Sequence, residues 1–83
     1  MFKNKSENGK NNICGTKIYV LRKSAIPKMS QRILAEQLQI NGIIIERDSV
    51  SRIEIGTRFV ADYELRELSR ILKVSVNWLL GLE

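Results

Sequence analysis

Histidine is absent from this chain, and cysteine and proline occur once each. With no histidine and Cys14 alone, a zinc ligand set cannot be assembled and no intramolecular disulfide can form. The only thiol lies in a stretch that reads as helix, with no base to activate it. No glycine-rich phosphate loop occurs, and Glu64 and Glu67 read as a solvated helix face. The chain is therefore not expected to be an enzyme, to bind a metal or to need a cofactor. Aromatic residues make up 6% of the sequence, and no sheet is expected on which RNA bases could stack. No apolar run approaches the roughly 18 residues that span a bilayer, so no membrane partner is expected. The opening run MFKNKSENGKNN carries lysines without the apolar stretch of a signal peptide. A reducing, cytoplasmic setting follows as the expectation.

What remains is a small basic chain. Eighty-three residues make one domain, near the lower limit of what folds alone. An apolar share of 43% suffices for one core. The formal charge is +5, of which residues 1–12 hold +2 through Lys3, Lys5, Lys10 and Glu7, leaving +3 for residues 13–83. That surplus permits an anionic partner without specifying one. Residues 1–12 offer almost nothing to bury and read as a flexible basic tail; residues 13–83 read as the folded domain.

Apolar periodicity predicts five short helices and no strand. Ile13, Ile18 and Leu21, flanked by Cys14 and Val20, mark the first, over about 14–23. It is broken before Pro27, since proline disfavours helix in its predecessor and cannot continue one. The second has the clearest start in the chain. Ser30 is a good N-cap, Met29 can staple onto Leu34, and Leu34, Ala35 and Leu38 share a face. Residues 39–45 read as a connection with Asn41 and Gly42 as the turn signal, and Ile43, Ile44 and Ile45 as packing beneath it. The third helix covers about 47–55 with Val50 and Ile53 inward and Gly56 as its stop. The fourth covers about 61–73, with Asp62 near its positive end and Leu65, Leu68, Ile71 and Leu72 as its core face. Ser75 caps a last helix at 76–80.

The run ICGTKI at 13–18 with Leu21 and Arg22, Ser30-Gln31 with Leu34-Ala35, VSRIE at 50–54 with Gly56 and Arg58, and VSVNWLL at 74–80 stand in a characteristic order. Together they resemble the Cro/phage-repressor-type (Xre-like) helix-turn-helix DNA-binding family. The resemblance implies an all-α, compact five-helix lambda-repressor-like domain whose second and third helices form the helix-turn-helix. It places Gln31 against the DNA backbone, Arg47, Asp48, Ser49 and Arg52 at base edges or nearby phosphates, and Arg58 at a phosphate. Arg22 and Glu54 match a pair that forms an internal salt bridge in relatives; as bare residues they could equally be two solvated charges. Arginine chemistry agrees, because a guanidinium can give two parallel bonds to guanine O6 and N7. Arg47 and Arg52 are five residues apart, hence about 140° around a helix, and need not read neighbouring bases. Asp48 could accept from a cytosine amine, orient Arg52, or complement the helix dipole. Two departures stand out. The span from Leu38 to Val50 is several residues longer than the family's, through a longer second helix or a bulging loop, and Glu46 replaces the commoner short hydroxyl cap.

The resulting expectation is a sequence-specific transcriptional regulator that binds double-stranded DNA, with the third helix in the major groove of a palindromic operator. Residues 1–12 are then either a solvated start or an arm lying along the DNA. A homodimer through the C-terminal end (Trp78, Leu82) is one possibility; packing of Trp78 over the first or fourth helix is the other. The alternative function is an antitoxin-like or regulator-antagonist protein-binding module, to which exposed Ile43 and Ile44 in the long turn would point. Operator sequence, inducer and the choice between activation and repression are not written in the chain.

Overall fold

A computed structural model describes residues 9–83. Five helices follow in order: α1 (Gly15–Lys23), α2 (Gln31–Ile40), α3 (Arg47–Ile55), α4 (Asp62–Leu72) and α5 (Val76–Leu79). Among the described residues there is no strand, and no helix is long and apolar enough to cross a membrane. α3 packs against α1 and α2, and α4 against α1, α2 and α5. The core between them holds Ile18, Leu34, Leu38, Val50, Ile53, Leu68 and Leu79, all fully buried.

Local chemistry explains each boundary. Ser30 Oγ accepts from the Ile33 N–H at 3.0 Å and starts α2, while Met29 is half-buried against the core. Ser75 does the same for Trp78 N–H at 2.9 Å and starts α5. α3 ends at Gly56, whose φ of 99° is a left-handed conformation that glycine adopts without a Cβ penalty. α1 has a cap the sequence did not announce: Asn12 Oδ1 accepts from Gly15 N–H at 2.8 Å. At α4 the Glu64 carboxylate accepts from the Ala61 N–H at 2.9 Å.

Several expectations change. α2 runs to Ile40, so the connection is 41–46 rather than 39–45. Val20 points outward while Arg22, one turn on from the buried Ile18, takes the inward position, because its partner Glu54 lies inside. Glu64 and Glu67 are not a solvated face; they are 5% and 4% exposed, each held by arginine. The domain boundary moves as well. Asn11 donates its backbone N–H to Gly56 O at 2.8 Å, and Asn12 Nδ2 donates to Ile53 O and Arg58 O. Residues 11–12 thus belong to the folded unit; Gly9 and Lys10 are exposed, and the rest of the expected tail, residues 1–8, lies outside the described residues.

Candidate nucleic-acid interface

Inward residues of α3 fix what its outer face can be. Val50, Ile53 and Glu54 are buried, which leaves Asp48, Arg52 and Ile55 on one exposed stripe with Arg47 and the half-buried Ser49 and Ser51 beside it. Arg47 lies in the first turn; its Nη2 is 3.9 Å from Asp48 Oδ1, both side chains being largely in water. Asp48 pairs with Arg47 and not with Arg52. Arg52 makes no ion pair among the described residues, so its guanidinium is available.

Beneath that stripe, Glu54 ties three helices together. Arg22 from α1 donates Nε to Oε2 at 2.7 Å and Nη2 to Oε1 at 2.9 Å, and Gln31 from α2 donates Nε2 to Oε1 at 3.0 Å. Arg22 Nη1 also donates to Met29 O at 3.2 Å, just ahead of α2. The bond to Glu54 raises the Arg22 pKa further above its already high value, against the opposing effect of burial. Of the two readings left open for Arg22 and Glu54, the buried pair is the observed one. It holds the start of α2 against the last turn of α3.

A cleft of about 680 Å³ opens where these elements meet, lined by Arg22, Lys23, Lys28, Met29, Ser30, Gln31, Arg32, Ile33 and Arg47. Five lining residues are cationic and none is acidic. The backbone N–H groups at the start of α2 add positive partial charge. Arg32 is paired with Glu36 at 3.1 Å, but that pair is exposed and so is weak enough to exchange for an anion. Lys23, Lys28 and Arg32 were not singled out by sequence; their clustering around Ser30 along the chain was the available signal.

Arg58 stands apart from the expected set. Its Nη1 and Nη2 meet Glu64 Oε1 and Oε2 at 3.0 and 2.9 Å, and Nη1 also donates to Phe59 O. The hydrogen bond to Glu64 raises the Arg58 pKa and lowers that of Glu64. Expected as a phosphate contact, Arg58 instead has its fork committed to a buried carboxylate on α4. At the far end, Trp78 is half-buried with Lys17 Nζ 4.8 Å over its ring and bonded to its carbonyl at 2.6 Å, so it packs toward α1. Leu82 remains exposed. Cys14 is buried, and burial pushes its thiol up to about 11, which leaves it unreactive at neutral pH. Among the described residues no three histidine, cysteine, aspartate or glutamate side chains come together to hold a metal ion.

Compared with known family models, curated proteins and solved structures, the chain matches none.

Proposed function

We propose that α2, the 41–46 turn and α3 form a helix-turn-helix of the Cro/phage-repressor type, and that the chain is a sequence-specific DNA-binding transcriptional regulator. The observation that supports this reading is the continuity of two cationic surfaces through Arg47. Arg47 lines the cleft at the start of α2 and also stands in the first turn of α3, beside the exposed stripe that carries Arg52. A phosphate in the cleft would meet Lys23, Lys28, Arg32, Gln31 and the α2 amide groups, which fixes orientation without reading sequence. Arg47 and Arg52 then supply the planar forks that recognise guanine in the major groove. Ser49 stands between them as a short donor, and Asp48 balances Arg47 at the helix start. Glu54 acts from below by holding Gln31 and Arg22. Two copies on a two-fold operator would place their α3 helices about 34 Å apart, with the exposed Leu82 end as the surface between them.

The test is selection from random duplexes at two salt concentrations, wild type against Arg52→Ala. A two-fold-symmetric site that weakens with salt is expected, with about 10- to 100-fold loss in the variant. No enrichment at low salt would overturn the proposal. A second reading, a protein-binding module of the antitoxin or antagonist kind, keeps Ile44, 98% exposed, but loses Ile43, which is buried in the core; Ile40 at the end of α2, 78% exposed, is the other apolar residue on that side of the chain.

A further inference from the structure

Three consecutive isoleucines on the α2–α3 connection have opposite fates. Ile43 and Ile45 are buried in the core, whereas Ile44 between them is 98% exposed. Anchoring both neighbours leaves Ile44 no inward position. The backbone around it is held from both sides. Ile43 N–H donates to Leu38 O at 2.9 Å, Gln39 Nε2 donates to Ile45 O at 2.6 Å, and Gly42 takes a φ of 87° to make the bend. A β-branched side chain is also stiff at χ1. Ile44 is therefore a rigid aliphatic group held in water three residues before Arg47, at the end of α3 that bears Arg47 and Asp48. Its exposed neighbours along the chain are Ile40, Asn41 and Gly42 before it and Glu46, Arg47 and Asp48 after it; of these Arg47 is the cation that a DNA groove would attract.

Resting on the DNA-binding reading above, we propose that Ile44 is a base-reading residue that packs on the C5-methyl group of a thymine beside the base edge reached by Arg47. The methyl is the apolar group that base pairs present in the major groove, and it is what separates thymine from uracil and marks T·A among the four pairs. An arginine fork reads guanine and cannot sense that methyl. Ile44 supplies the complementary apolar surface, and Gln39 and Gly42 supply its fixed position. Because the contact carries no charge, its share of affinity does not fall with salt.

The experiment uses the site selected by the full chain and replaces each thymine of a half-site with uracil, singly, for wild type and Ile44→Ala. At one or two positions the wild type is expected to lose about fourfold in affinity for the one methyl removed. Ile44→Ala should bind the thymine site more weakly and be indifferent to uracil at those positions. A circular-dichroism melt checks that the variant folds, and Ile44→Val should restore part of the thymine preference. If the wild type is indifferent to every uracil, or Ile44→Ala keeps the same sensitivity, the inference is overturned while the DNA-binding reading stands; Ile44 is then left to a protein partner. If the wild type selects no site, both fall together.

Discussion

Glu54 accepts three hydrogen bonds from two other helices, and its pair with Arg22 is almost wholly out of water, the two side chains being 9% and 4% exposed. Taking two charges out of water is costly, and the pair recovers this through its bidentate geometry. Removing only one partner leaves the other buried and uncompensated. Arg22→Met should therefore cost about 3–5 kcal/mol in urea denaturation, and Arg22→Met with Glu54→Leu much less than either change alone. A cost near that of an exposed pair, about 0–1 kcal/mol, would contradict the tie. Glu64 gives a pH-dependent counterpart. The hydrogen bond from Arg58 lowers its pKa below 4.5, with the Ala61 N–H helping and burial opposing. Its folded value lies below its unfolded one, so it binds fewer protons when folded. Its stabilisation is complete above about pH 4.5 and disappears as the pH falls through the folded value. Thermal melts of wild type and Glu64→Gln should differ by a constant amount from pH 7 to pH 5 and converge in stronger acid. A gap that widens on acidification would refute this role.

At the scale of elements, α1 and α3 come close together at Gly15. A Cβ on Gly15 would lie 2.0 Å from the Ile53 carbonyl oxygen, an atom that also accepts from Asn12 Nδ2. In an exposed helix Gly→Ala stabilises by about 1 kcal/mol; here the two helices must separate, so Gly15→Ala should destabilise by about 1–3 kcal/mol or more. The sign of the change in urea midpoint decides the matter. Nothing in the sequence marked Gly15 for this, because crowding depends on which backbone comes opposite. What was legible has a local cause. Ser30 and Gly56 mark helix ends through hydrogen bonds and dihedral angles set within a few residues, and Leu34, Ala35, Leu38, Val50 and Ile53 follow from helical spacing. What was missed depends on distant partners. Glu64 and Glu67 look like surface residues until Arg58, Arg66 and Arg70 are placed beside them. Asn12 looks like tail until its amide meets carbonyls more than forty residues away. The candidate site divides in the same way: Arg47 and Arg52 could be named from the chain and the Arg22–Glu54 pair from the resemblance alone, while the cleft at Ser30 required α1, α2 and α3 to be brought together.

For the molecule as a whole, the question is which cations are free to meet a polyanion. Arg22 and Arg58 are each matched by a buried carboxylate, Glu54 and Glu64, and so add little to the outward field, whereas Arg66 and Arg70 share Glu67 and leave one positive charge over, all of them counting in the formal charge of +5. Lys23, Lys28, Arg32 and Arg47 gather instead in one cleft whose lining holds no carboxylate, and the pairs of Arg32 with Glu36 and of Arg47 with Asp48 are exposed enough to exchange for an anion. Each phosphate neutralised by such a residue releases counterions and contributes about 0.9 to the slope of log affinity against log salt. Lys28→Ala should lower that slope by about one and weaken selected and unrelated duplexes alike, because a phosphate contact carries no sequence information. Arg58→Ala should leave the slope unchanged, because its charge is already matched by Glu64, and should show its effect in stability. Titrations of the three proteins across a salt series separate these outcomes. Equal slope losses for Lys28→Ala and Arg58→Ala would mean that the Glu64 pair opens on binding and that the DNA backbone also passes the C-terminal end of α3. A loss for Arg58→Ala alone would move the phosphate path away from the start of α2 altogether.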